Sequence, residues 1–105
     1  MKRYIYLISP PKIKDDYFYK DLNKILRTNK VKYFQLRLKT TPLLSLINVS
    51  KKIRKITKKN KVKFLINDNP FVAKVVEADG CHIGQKDMNF FYSRKILGIN
   101  KIIII

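Results

Sequence analysis

The sequence predicts an α/β fold in which a parallel sheet is built from βαβ units. Two observations predict it: short β-prone runs alternate with segments of helical periodicity, and the last run, Ile102 to Ile105, is wholly apolar, as suits a parallel strand covered on both faces. Tyr4 to Ile8 is the first strand, closed by Ser9, Pro10 and Pro11. Phe18, Leu22, Ile25 and Leu26 recur at helical spacing and predict a helix over 18–26. Lys32 to Lys39 is the second strand. Leu43, Leu46, Ile47, Val49, Ile53 and Ile56 then trace the clearest helix, with Pro42 in its first turn and Thr41 as its cap. Val62 to Ile66 is the third strand, followed by Asn67-Asp68-Asn69-Pro70, which offers caps and a first-turn proline to a helix reaching Ala78. Asp79-Gly80 predicts a turn into a brief strand, Cys81 to Gly84. Asn89 to Leu97 predicts a helix stopped by Gly98.

Length and composition narrow the function. A chain of 105 residues buries only roughly 65% of its unfolded surface, so the core is modest. With 46% hydrophobic and 30% charged residues the balance is globular. The apolar run after the basic start is shorter than a signal-peptide core, and no stretch is long enough to span a membrane. Cys81 is the only cysteine, which excludes an intrachain disulfide and leaves a cytoplasmic protein as the expectation. The net charge of +17, from 24 Lys+Arg against 7 Asp+Glu, raises a nucleic-acid partner. The excess is mainly lysine accompanied by many Ile and Asn residues, as codon bias toward A and T would produce. Its densest group, Lys51, Lys52, Arg54, Lys55, Lys58 and Lys59, reads as one solvated helix face. No interleaved aromatic surface accompanies it, so neither nucleic acid nor membrane is an expected partner.

Residues able to carry chemistry sit at the ends of the predicted strands. In the second strand the pleat separates Phe34, Leu36 and Leu38 from Gln35, Arg37 and Lys39. If helices cover the apolar side, the polar side points inward and its two cations and amide form an anion clamp; otherwise it is a strand half exposed to water. Asn67 and Asp68 end the third strand, and Asp87 follows the fourth. Two carboxylates at adjacent strand ends suit magnesium, although each could instead cap the helix after it. His82, in a short apolar strand, reads as a core histidine, and Cys81 as a small buried hydrophobe. The two do not make a zinc site. No glycine-rich phosphate loop indicates a nucleotide cofactor.

Together Gln35-Leu36-Arg37-Leu38-Lys39, Phe64-Leu65-Ile66-Asn67-Asp68 and Ala78-Asp79-Gly80-Cys81-His82-Ile83-Gly84-Gln85-Lys86-Asp87 resemble the thiamine phosphate synthase family in order, spacing and strand placement. The resemblance runs from Tyr4 to the last residue. It implies the TIM (β/α)8 barrel family, here an incomplete half barrel of about five parallel strands and four helices in a single domain. It implies condensation of hydroxymethylpyrimidine diphosphate with thiazole phosphate, giving thiamine phosphate and pyrophosphate. Gln35, Arg37, Lys39 and Asn67 would hold the pyrimidine diphosphate, and Asp68 and Asp87 would hold Mg²⁺. No catalytic acid or base is implied in this half.

Two departures bear on the resemblance. Lys86 stands where the family commonly has an acidic residue. A barrel of this type needs roughly 200 residues or more, so the thiazole phosphate site and the diphosphate contacts after strands five and six have no counterpart. A truncated, non-catalytic relic, or a half barrel that self-associates or needs a complementary half, is therefore a competing reading. A TenI-type thiazole tautomerase is another, disfavoured by the presence of both Asp68 and Asp87 with the Gln-Arg-Lys clamp.

Overall fold

The computed structural model describes residues 3–84 and 90–105. Five strands alternate with four helices: β1 (Ile5–Ile8), α1 (Tyr17–Leu26), β2 (Val31–Leu36), α2 (Leu43–Lys59), β3 (Lys63–Asn67), α3 (Pro70–Val75), β4 (Gly80–His82), α4 (Phe90–Leu97) and β5 (Ile102–Ile104). All neighbouring strands pair in parallel, in the order β1-β2-β3-β4-β5. That sequential order is the wall of a (β/α)8 barrel, not a doubly wound sheet, whose order reverses part way. Among the described residues no helix is long and apolar enough to cross a membrane.

The pleat divides the sheet into two chemically different faces. Phe34 and Leu36 of β2, Phe64 and Ile66 of β3 and Cys81 of β4 point to one side and join Leu22, Leu26, Ile53 and Val72 of the helices in one buried cluster. Burying a side chain of this kind contributes about 1.5–3 kcal/mol, so this layer dominates stability. The other face carries Tyr6, Tyr33, Gln35, Leu65, Asn67 and His82, with Gln35 next to Leu65 and Asn67 next to His82 in register. The polar side of β2 thus turns away from the helices.

Several element ends differ from the sequence expectation, each for a local reason. β2 ends at Leu36 rather than Lys39 because its neighbour changes character: Ser9 is followed by Pro10 and Pro11, which have no N–H to extend a ladder. There Ser9 N–H donates to Gln35 O at 2.9 Å, Arg37 N–H to Ser9 Oγ at 2.9 Å, and Lys39 N–H to Pro11 O at 3.1 Å. Thr41 does not cap α2; its hydroxyl donates to Lys39 O at 3.1 Å, and Pro42 occupies the cap position rather than the first turn. α3 stops at Val75, three residues before Ala78. Glu77 there adopts φ +57°, and Ala78 N–H returns to Ala73 O at 2.9 Å, a Schellman closure. Lys61, with φ +58°, closes α2 in the same way through Val62 N–H and Thr57 O at 2.9 Å. Gly98 ends α4 as expected, at φ +89°.

The lysines of the basic run are exposed, but Arg54 is not part of a solvated face. Its guanidinium meets Asp79 at 2.9 Å, and the same carboxylate oxygen accepts Phe64 N–H at 2.8 Å. Asp79 therefore ties α2 to the N-terminal ends of β3 and β4, the face of such sheets that serves stability. Gly80, expected in a turn, already belongs to β4.

Candidate functional site

The second sheet face holds a row of hydrogen-bonded side chains, one from each of four adjacent strands. Gln35 Nε2 donates to Tyr6 Oη at 2.9 Å; Asn67 Nδ2 donates to Gln35 Oε1 at 3.1 Å and lies 3.3 Å from His82 Nδ1. Gln35 is 3% exposed, so these partners supply what water cannot. His82 is not in the apolar cluster, as a core histidine would be; β4 places it on the polar face opposite Asn67. Tyr6 also stacks on Tyr33, with ring centroids 5.7 Å apart and planes at 21°. Neither Tyr6 nor His82 was assigned a site role from sequence. The signal that finds them is register: strand alternation alone does not say that they flank Gln35 and Asn67.

Above this row, at the C-terminal ends of β2 and β3, a cleft of roughly 480 Å³ is lined by Arg37, Lys39, Thr40, Asn67, Asp68 and Asn69, among others. Arg37 and Lys39 are exposed residues beyond the end of β2, held by the backbone bonds to Ser9 and Pro11. Lys39 and Arg37 also border a second hollow formed by Ile8, Ser9 and Pro11. α2 begins beside the cleft without a side-chain cap, so its first N–H groups add positive potential there. Of the six residues predicted for the site, the structure brings Arg37, Lys39, Asn67 and Asp68 onto one cleft and sets Gln35 behind Asn67. Asp87 lies outside the described residues, as do Gln85 and Lys86.

Asp68 occupies a strained position. Its φ is +54°, a region that Asp tolerates better than most side chains, and its N–H donates to His82 O at 2.6 Å. The cap of α3 is the next residue: Asn69 Oδ1 accepts Val72 N–H at 3.0 Å. Cys81, fully buried behind this loop, has its thiol pushed up to about 12, chiefly by burial and further by the Asp68 carboxylate. Cys81 is thus a buried hydrophobe and not a nucleophile.

Among the described residues no three His, Cys, Asp or Glu side chains gather as a metal cage. Magnesium needs no such cage: it typically takes one or two carboxylates and fills its remaining positions with water and substrate oxygens. Asp68 supplies one hard oxygen donor at the cleft, beside cations suited to a phosphate group.

Comparison with known proteins agrees with this fold. The sequence pattern of the family described as thiamine monophosphate synthase matches residues 5–105. Thiamine-phosphate synthase of Pelagibacter ubique is 56% identical over 97% of this chain and 49% of its own length. The enzyme of the same name from Clostridioides difficile is 36% identical over 94% of this chain and 47% of its own. A solved thiamine phosphate pyrophosphorylase from Pyrococcus furiosus superposes with a TM-score of 0.81 at 26% identity, covering 97% of this chain and 48% of that one. The chain spans about half the length of the curated relatives it matches. With its sequential parallel sheet and its strand-end motifs, the chain belongs to the thiamine monophosphate synthase family.

Proposed function

We propose that this chain forms the pyrimidine diphosphate and Mg²⁺ half of a thiamine phosphate synthase site, which condenses hydroxymethylpyrimidine diphosphate with thiazole phosphate and releases pyrophosphate. The observation that carries the reading is the convergence of Arg37, Lys39, Asn67 and Asp68 on one cleft at the C-terminal ends of adjacent parallel strands. Arg37 offers a planar donor fork suited to phosphate oxygens, and Lys39 a point charge. Both act on negative charge that builds on the departing diphosphate, a preorganised electrostatic role. Asp68, with Asp87, would hold Mg²⁺, which supplies further neutralisation of that leaving group. Asn67 lines the cleft at the end taken by the pyrimidine, and Gln35 supports it from behind. The thiazole phosphate site is assigned to none of these residues.

Calorimetric titration of the chain with hydroxymethylpyrimidine diphosphate, with and without Mg²⁺, tests the reading. Binding strengthened by Mg²⁺ and weakened by Arg37→Ala in both conditions is the expected result. Equal affinity with and without Mg²⁺, or no binding by folded protein, would refute it.

A further inference from the structure

We infer that Ser9 is a positioning residue for the anion clamp: its hydroxyl takes the place of a backbone carbonyl in the β1-β2 ladder and so fixes where Arg37 leaves the sheet. The inference rests on the proposed diphosphate site for the anion that Arg37 meets. Ser9 does not line that cleft; it is 7% exposed and follows the neighbouring strand β1. Ile8 pairs with Gln35, and Ser9 N–H donates to Gln35 O at 2.9 Å. In a parallel ladder the residue that donates there also accepts the N–H two positions further along, through its own carbonyl. Here the acceptor for Arg37 N–H is instead Ser9 Oγ, at 2.9 Å. The sense of this bond is fixed, because a backbone N–H only donates. The hydroxyl proton goes to Pro10 O at 3.1 Å.

The sequence shows why a side chain does this. Pro10 and Pro11 have no N–H, and a residue before proline is held in extended backbone, so β1 cannot carry the regular ladder past Ser9. Arg37 and Lys39 are exposed, and neither makes an ion pair among the described residues, so their backbone is what holds them. Two tethers do so: Ser9 Oγ for Arg37, and Pro11 O, 3.1 Å from Lys39 N, for Lys39. Only the tether of Arg37 depends on a side chain. With Ser9 buried, little water is at hand to replace that acceptor. A long side chain has less freedom to lose on binding when its Cα is already fixed, and Arg37 is the member of the clamp whose donor fork has a direction to keep. Removing the Ser9 hydroxyl therefore weakens phosphate recognition through Arg37 and leaves Lys39 tethered.

Amide hydrogen exchange and calorimetric titration test this. In the wild-type chain the Arg37 amide should exchange as slowly as those within β2, although it lies beyond the strand. Ser9→Ala should remove that protection and keep that of Lys39. It should weaken binding of inorganic pyrophosphate, measured without Mg²⁺, about five- to tenfold, the range for one lost hydrogen bond. In an Arg37→Ala background the same change should alter affinity by less than about twofold, whereas in Lys39→Ala it should act in full. A general loosening of the fold would act equally in all three. Ser9→Thr retains a hydroxyl, and its affinity should follow its Arg37 amide: both kept or both lost, either without the other counting against the inference. A freely exchanging Arg37 amide in the wild-type chain, wild-type affinity in folded Ser9→Ala, or an undiminished effect in the Arg37→Ala background would overturn it. So would pyrophosphate binding indifferent to Arg37. Pyrophosphate held in the expected way, with hydroxymethylpyrimidine diphosphate bound no more tightly, would refute the proposed function and leave the role of Ser9 standing.

Discussion

Asn69 Oδ1 accepts the Val72 N–H at 3.0 Å, so the cap of α3 belongs to Asn69 and the adjacent Asp68 is relieved of it. The two residues therefore allow helix capping and the proposed metal site to be tested separately. Asn69→Ala should cost about 1 kcal/mol, the usual loss for an N-cap. Asp68→Asn keeps a side chain that tolerates the positive φ as well as Asp does, so the change should not strain the backbone there. The same Asp68→Asn change should abolish any Mg²⁺ enhancement of diphosphate binding. Chemical denaturation and calorimetry of both variants check this; a large stability loss in Asp68→Asn would return the residue to a structural role.

Gly80 has a different kind of constraint. A Cβ built on it would lie 2.0 Å from Ile102 O and 2.7 Å from Ile102 C, both backbone atoms of the neighbouring strand. Backbone cannot swing aside as a side-chain tip can, so Gly80→Ala should force β5 away from β4. The expected loss is roughly 3 kcal/mol or more, at the severe end for a single substitution. Hydrogen exchange should show the Ile102 and Ile83 amides, which join the two segments by donating to Asp79 O at 2.9 Å and Ile104 O at 2.7 Å, losing protection before those of β2 and β3. Unchanged protection at Ile102 and Ile83 would mean that the strands shift without parting.

The alternation of strands and helices was legible because each element carries its own signal in a few consecutive residues. The outward face of β2 was legible for the same reason: Phe34 and Leu36 alternate with Gln35. What was not legible depends on residues far apart in sequence. The end of β2 is set by Pro10 and Pro11 on the neighbouring segment, and the burial of Arg54 by Asp79, 25 positions on. The ends of α2 and α3 were obscured because Lys61 and Glu77 take positive φ where a glycine would have announced the stop. The cleft motifs could be read as local strings. The row from Tyr6 to His82 could not, since only the register of four strands brings those side chains together.

The sheet edges predict behaviour in solution. Among the described residues β1 and β5 each pair with one strand only, and Ile5 and Ile105 are 51% and 65% exposed. Open parallel edges of this composition are templates for pairing. The 105-residue chain is therefore expected to associate, against the repulsion of its +17 charge. Salt screens that repulsion, so association should increase between about 0.05 and 0.5 M salt. Sedimentation velocity checks this, and Ile104→Lys should reduce it. A monomer at high concentration in both salts would show that the edges are adequately protected.

Cys81 predicts how stability falls in alkali. Burial, with a smaller contribution from the Asp68 carboxylate, holds the thiol in its neutral form up to about 12 in the folded chain, against an ordinary 9.0. The folded value is the higher one, so the stabilisation is fully present below pH 9.0 and is lost as pH rises toward 12. Across that window the unfolded chain has released a proton that the folded chain keeps, and stability falls by up to about 1.4 kcal/mol per pH unit from this group. Tyrosines and lysines titrate in the same range, so the informative quantity is a difference. Cys81→Ala should be less stable than the wild-type chain at pH 8, through lost packing, and the gap should narrow or reverse by pH 10.5. Urea unfolding at each pH measures it. In parallel, an alkylating reagent should label Cys81 only as fast as the chain opens, and Asp68→Asn, which removes the smaller contribution, should leave that labelling slow. A pH-independent gap between the wild-type chain and Cys81→Ala, or rapid labelling of folded protein, would show that the thiol is neither as buried nor as suppressed as its place behind the Asp68 loop requires.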